Sequence, residues 1–250
     1  MKNALIVGYG VVGHNLADEL KKLNPDIVDK YKTEFNTKRD IVYDVAFICV
    51  DTPYVSDKKV CDVDEVENAI NENEAKVYVI KSTILPKTTQ LLKERTGKRI
   101  VFSPEYYGGT QHCNNFTFDF TILGGSKTDC LYVQQLLQNV YDGRHIFKIV
   151  DSVTAELNKY MENAFLATKV SFCIQFYEIC KKLGVNYEDL RECFILDKRL
   201  GESHTFVYED APYWDSHCLN KDVPAIAETY DAELLKAVID FNTKMKNKCE

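Results

Sequence analysis

Six residues near the amino end, Gly8-Tyr9-Gly10-Val11-Val12-Gly13, have the G-x-G-x-x-G spacing with which a chain can hold a pyrophosphate. Each glycine serves a separate need of that chemistry. Gly8 permits a tight turn, Gly10 lets the backbone approach the phosphates, and Gly13 lets a helix pack closely on a strand. Tyr9, Val11 and Val12 complete the turn, and the helix they open would aim N–H groups and partial positive charge at the anion. Asp29 closes the next apolar segment, where a carboxylate accepts hydrogen bonds from the adenosine ribose and repels a 2′-phosphate. The pattern favours NAD over NADP, with Lys30 and Lys32 as the opposing signal. The competing reading is a glycine-rich turn that binds no nucleotide; an apolar run before it and a helical run after it favour the nucleotide.

The elements that would carry these residues follow from the apolar pattern. Residues 3–7 read as a buried strand ending at Gly8, and Leu16, Ala17, Leu20 and Leu23 as a helix stopped by Asn24-Pro25. Further strands are expected at 26–29, 45–50, 77–80, 99–102, 121–123 and 146–150, with helices at 63–71, 88–95 and 131–140. This alternation predicts an α/β fold, a Rossmann-like dinucleotide-binding domain over residues 1–150 built on a parallel sheet. The pattern changes near residue 151. From Ser152 to Leu183 there is no Pro or Gly, and Leu157, Met161, Ala164, Phe165, Thr168 and Phe172 share one face. That predicts one helix of about 30 residues and about 45 Å. Met161 and Phe165 mark its buried side, with Lys159 at the edge. A shorter helix is expected over 187–196, a loop over 201–221, and a last helix opened by Asp222 and Pro224 and running to about Lys246. Residues 151–250 are thus expected to form a small all-α domain that pairs two chains through the long helix.

Bulk properties narrow the partners. A net charge of −7 gives no general attraction to nucleic acid or an anionic membrane, so bound phosphate needs a local site. Nine cysteines, an odd number without a C-x-x-C pair, suggest a reducing compartment and the cytoplasm, with no metal site expected. The amino-terminal apolar run is too short and too rich in glycine for a secretion signal, and no segment has the ~20 apolar residues of a membrane helix.

Five later segments, in order, resemble the nucleotide-sugar 6-dehydrogenase family typified by UDP-glucose 6-dehydrogenase. They are Val50-Asp51-Thr52-Pro53; Ile80-Lys81-Ser82-Thr83-Ile84-Leu85-Pro86; Ser103-Pro104-Glu105-Tyr106; Ala155-Glu156-Leu157-Asn158-Lys159 with Asn163; and Cys218-Leu219-Asn220-Lys221-Asp222. The resemblance implies oxidation of a primary alcohol to a carboxylate in two hydride transfers to NAD, with Cys218 holding the intermediate. Its thiolate would add to an aldehyde, and a helix start and Lys221 nearby would favour that thiolate. The alternative for Cys218 is small apolar filler, the role assigned to the other eight cysteines. The resemblance further implies that Lys159 and Asn163 stabilise an oxyanion at the sugar C6, that Asp222 positions water or takes a proton, and that Glu105 serves thioester hydrolysis. Asp222 is equally a helix cap on sequence grounds, and a lone Lys-x-x-x-Asn such as Lys159 and Asn163 would nearly always be a solvated face. Thr83 would hold a catalytic water or the nicotinamide, Thr52 and Lys221 would line the cofactor site, and Val207, Tyr208 and Asp215 would meet the substrate with Glu105, Lys159 and Asn163.

Departures accompany the resemblance. Gly109 stands where the family has a second glutamate, Asp215-Ser216 where it has two glycines, and Asn220 where it has proline. Family members usually continue into an α/β domain that grips the sugar nucleotide, and the resemblance implies a short form without it. Three activities remain open: the two-step oxidation, a one-step β-hydroxyacid-type oxidation without cysteine, and an NAD-binding module without catalysis.

Overall fold

The computed structural model describes residues 3–55, 57, 60–107 and 118–249. They divide into two compact units, the first made of 3–55, 60–107 and 118–159 and the second of 57 and 160–249.

The first unit is a seven-stranded sheet with helices. Its strands are β1 (Ala4–Val7), β2 (Asp26–Val28), β3 (Val45–Ile48), β6 (Tyr78–Ile80), β7 (Ile100–Phe102), β8 (Phe120–Gly124) and β9 (Ile146–Val150); β4 (Tyr54–Val55) and β5 (Val60–Cys61) form a separate antiparallel pair. The sheet order is β2-β1-β3-β6-β7-β8-β9. β1, β3, β6 and β7 are buried along their whole length, as strands covered on both faces must be. Their residues alternate between two cores. Ala4, Ile6, Val45, Phe47 and Val79 face Leu16 of α1 (Val11–Glu19), Leu20 just after it, and Val133, Leu136 and Leu137 of α4 (Lys127–Leu137). Leu5, Ala46, Ile48, Tyr78 and Ile80 face α2 (Asp64–Asn71) and α3 (Thr88–Thr96) through Val66, Ala69, Ile70 and Leu92.

Two features of the strands differ from the sequence expectation. The sheet is parallel from β2 to β7, but β8 is antiparallel to β7, and β9 is parallel to β8. A parallel neighbour needs a crossover of about a dozen residues, usually helical, and among the described residues none lies between β7 and β8. The β4–β5 pair was not foreseen, since two-residue strands carry no readable period.

The long helix α5 (Ser152–Leu183) spans 32 residues. Its first turns, in the first unit, bring Glu156 to the amino end of α3. That carboxylate accepts from the N–H groups of Lys87 (2.7 Å) and Thr89 (2.8 Å) and from the Thr89 hydroxyl (2.6 Å), and so caps a helix 67 residues away in sequence. Burial pushes the Glu156 carboxyl above its usual value, and these bonds offset part of that. Most of the expected buried face of α5 is exposed, although Ala164 within it is covered. Lys159 is 6% exposed and Asn163 4%, whereas Met161 is 73% and Phe165 63% exposed. Helical spacing identifies a stripe, not the side that is covered, and here Ala155, Tyr160, Ala164 and Ala167 lie on the covered side.

In the second unit α6 (Tyr187–Ile195) is followed by α7 (His217–Thr229) and α8 (Glu233–Asn247) in place of one terminal helix. Ser216 caps α7 by accepting from the Leu219 N–H at 3.2 Å, so the helix starts before Cys218 and holds Pro224 inside it. Asp231 ends the pair's continuity with a left-handed φ of +52°. Among the described residues, no helix is long and apolar enough to cross a membrane.

Candidate active site

The glycine-rich turn lies where the strand order reverses, between β1 and its neighbours β2 and β3. The Gly8 N–H donates to Val28 O at 2.9 Å, and the Cys49 N–H to Val7 O at 2.7 Å, which ties the turn to both neighbours. Gly8 has φ +91°, and a Cβ there would lie 2.8 Å from Cys49 O. A Cβ on Gly13 would lie 2.0 Å from Gly8 O. Both glycines are required by the protein's own packing. Gly10 is different, because a Cβ there would meet no protein atom within 4 Å. No side chain caps α1, unlike α4, α6 and α7, which are capped by Ser126, Asn186 and Ser216. Tyr9 lies against His14 and Phe35, with Val11 exposed and Val12 half-buried.

Asp29 stands just past β2. It accepts from the Tyr9 N–H at 2.6 Å through one oxygen, and from the Tyr31 (2.8 Å) and Lys32 (2.7 Å) N–H groups through the other. Burial pushes its carboxyl up, but the three N–H bonds outweigh this and hold it below the usual carboxylate value. The opposing lysines are engaged elsewhere: Lys30 pairs with Glu65 at 2.9 Å and Lys32 donates to Tyr9 O at 2.9 Å.

The ends of β3 and β6 are tied by hydroxyls. Thr52 donates to Thr83 O at 2.7 Å and Ser82 to Val50 O at 2.5 Å. Lys81 beside them is half-buried and donates to Pro104 O at 3.3 Å; loss of hydration pulls its ammonium below the usual lysine value despite Glu19 and Glu105. Glu105 accepts from the Tyr107 N–H at 3.1 Å, and the Tyr107 hydroxyl donates to Glu19 at 2.5 Å. The Lys159 ammonium lies 4.9 Å from the centre of the Tyr106 ring, whose hydroxyl accepts from Asn158 at 3.0 Å. The first unit thus holds Thr83, Glu105 and Lys159 of the expected catalytic set. Lys81 and Tyr106 escaped the sequence reading, although both stand within the quoted motifs.

The second unit holds the rest. Asn163 donates to one Asp222 oxygen at 2.7 Å, and Lys221 pairs with the other at 2.9 Å. Asp222 is 1% exposed and lies inside α7, so it does not cap the helix. Cys218 is the second residue of α7, one turn before Asp222 and exposed. Half-buried Cys49 and buried Cys130 are less accessible: loss of hydration pushes their thiols up to about 12 and about 11, which keeps both protonated. Among the expected substrate contacts, Tyr208 is exposed and Val207 half-buried, while Asp215 accepts from Asn220 at 2.6 Å and Lys246 at 3.2 Å. Gly109 lies outside the described residues.

Residues 11–145 match the model of the UDP-glucose/GDP-mannose dehydrogenase family, NAD binding domain, and residues 153–244 match that family's central domain. The chain belongs to the UDP-glucose/GDP-mannose dehydrogenase family. It is 28% identical to a UDP-glucose 6-dehydrogenase of Rickettsia felis, over 96% of this chain and 61% of that protein. It is 26% identical to a UDP-N-acetyl-D-mannosamine dehydrogenase of Methanococcus vannielii, over 95% and 60%. This family member therefore spans about three-fifths of the length of those curated relatives. Its fold is similar to a UDP-glucose dehydrogenase from Pyrobaculum islandicum, with TM-score 0.79 and 23% identity over 98% of this chain and 68% of that one. A 3-hydroxyisobutyrate dehydrogenase of Mycobacterium tuberculosis shares the fold at TM-score 0.67 and 15% identity, over 98% and 93%. The family's cofactor, NAD, fits the residues present. Gly10 is a glycine that the protein's own packing does not require, α1 has no capping side chain, and an ionised Asp29 follows β2.

Proposed function

We propose that this chain oxidises the C6 primary alcohol of a UDP-glucose-like nucleotide sugar to the uronic acid, through a covalent adduct on Cys218. The observation that carries this reading is the sequence of groups along α7: an exposed thiol, then one turn later a buried carboxylate oriented by Asn163 and Lys221. Gly8, Tyr9, Gly10, Val11, Val12, Gly13, Asp29, Thr52 and Lys221 hold NAD, and bound NAD supplies the hydride acceptor for both oxidations. Lys159 and Asn163 stabilise the negative oxygen that develops at C6, and Asp222 takes the alcohol proton. The Cys218 thiolate then adds to the aldehyde carbon, giving a thiohemiacetal whose hydride departs to leave a thioester. Glu105 and Thr83 deliver water to the thioester, which releases the carboxylate and the thiol. The balance is one alcohol, one water and two NAD in, and one carboxylate, two NADH and three protons out. Val207, Tyr208 and Asp215 meet the sugar nucleotide.

A panel of sugar nucleotides read by NADH absorbance tests the proposal. Two NADH per substrate consumed are expected. A ratio of one points instead to a one-step dehydrogenase, and NAD binding without turnover on any sugar nucleotide to a non-catalytic module.

The same reading includes a homodimer through α5. Met161, Phe165, Phe172, Phe176, Ile179 and Leu183 are all exposed at three-, four- and seven-residue steps, a stripe of large apolar groups that water disfavours. A second copy of the helix would cover it by isologous packing. Sizing by light scattering is expected to give a dimer, and Phe165→Glu a monomer. A wild-type chain that is monomeric at micromolar concentration removes this part of the reading.

A further inference from the structure

The segment leading into Cys218 is fixed from α8. Asn242 applies both ends of its carboxamide to the backbone of one residue: it accepts from the Trp214 N–H at 2.8 Å and donates to Trp214 O at 2.9 Å. The Trp214 indole N–H donates to the Ser171 hydroxyl on α5 at 3.0 Å, and the three residues are buried. Trp214 also packs with Ala167, Leu219, Val223 and Val238. Asp215 is held by Asn220 and Lys246, and Ser216 caps α7. The chain between Trp214 and Cys218 therefore has little torsional freedom left.

Packing alone does not call for asparagine at 242. Its neighbours on the buried face of α8, Val238 and Met245, are apolar, and an apolar side chain would suit a helix–helix contact as well. Trp214 lies outside helix and sheet, so its backbone N–H and C=O suit a partner with both a donor and an acceptor, which a carboxamide is.

We propose that Asn242 is a positioning residue for Cys218, acting through the Trp214 backbone. The inference rests on the reading of Cys218 as nucleophile. It adds a group that touches neither substrate nor cofactor but sets where the thiol points.

Two variants test it. Asn242→Leu removes both bonds; Asn242→Asp keeps the acceptor for the Trp214 N–H and loses the donor. The readouts are melting temperature, kcat and KM, and the pH profile of Cys218 alkylation by iodoacetamide, followed by peptide mass spectrometry to separate Cys218 from the exposed Cys193 and Cys249. The expected result for folded Asn242→Leu is a kcat about tenfold lower with little change in KM for NAD. Cys218 alkylation is expected to change about threefold with a displaced pH profile, and Asn242→Asp to fall between. A folded Asn242→Leu with the wild-type alkylation profile overturns the proposal. If that variant does not fold, Asn242→Asp decides by the same readouts. Failure of both to fold assigns Asn242 to stability and overturns it equally. Alkylation needs no sugar substrate, so a chain without dehydrogenase activity still tests the clamp, whereas full activity in Cys218→Ser refutes the nucleophile and leaves the clamp standing.

Discussion

Cys218→Ala is expected to lower uronic acid formation from a sugar nucleotide by about three orders of magnitude, with NAD affinity unchanged. The expectation follows from the second oxidation. An aldehyde carbon has no good route to a second hydride loss until a nucleophile adds to it, and the thiol at the amino end of α7 is the nucleophile the reading provides. Asp222 and Asn163 remain in the variant, so the first oxidation continues and free aldehyde accumulates. A hydrazine trap should then detect aldehyde, and single-turnover measurements should show one NADH where the wild type gives two. NAD titrations by calorimetry supply the control. A variant that keeps kcat for uronic acid formation within about fivefold of the wild type refutes covalent catalysis through Cys218.

Two glycines in one turn are expected to fail in opposite ways. In Gly13→Ala the new methyl group would start 2.0 Å from Gly8 O and 3.0 Å from Gly8 C, both backbone atoms, so α1 must move off β1. The cost is about 3 kcal/mol, a fall in melting temperature of about 6–12 °C. Gly10→Ala introduces no such contact, and with φ −76° the position suits alanine. Its melting temperature should stay within about 2 °C of the wild type, while NAD binding weakens by about tenfold because the methyl group occupies the approach to the phosphates. Calorimetric titration and thermal melts separate the two effects. Unchanged NAD affinity in a folded Gly10→Ala would place the dinucleotide elsewhere.

Much of the first unit is legible in the sequence because burial on both faces forces unbroken apolar runs such as Ala4–Val7 and Val45–Ile48. The glycine pattern is legible for a similar reason: close approach admits one residue type, and Gly8 and Gly13 meet backbone within 3 Å. Strand direction leaves no such mark, and the reversed β8 has the same kind of composition as its neighbours. The break between α7 and α8 is also silent, because Asp231 reaches the left-handed region without a glycine or proline to announce it. Pro224 signals a helix start in isolation, but the Ser216 cap two turns earlier takes precedence. In the candidate site, residue types could be matched to a motif, yet their partners could not. Glu156 capping α3, and Asn242 gripping Trp214, join positions 67 and 28 residues apart, and no local pattern records such pairings.

The three amides around Asp29 have a consequence for how cofactor choice can drift over generations. The carboxylate that would read the ribose also builds the turn from Tyr31 to Lys32 and anchors the backbone at Tyr9. Exchanging it for a neutral or basic side chain, the shortest mutational route toward a phosphorylated ribose, would dismantle the loop that must present the replacement. Selection for the other dinucleotide would have to rebuild that stretch in several concerted steps, so the preference is entrenched by architecture as well as by charge.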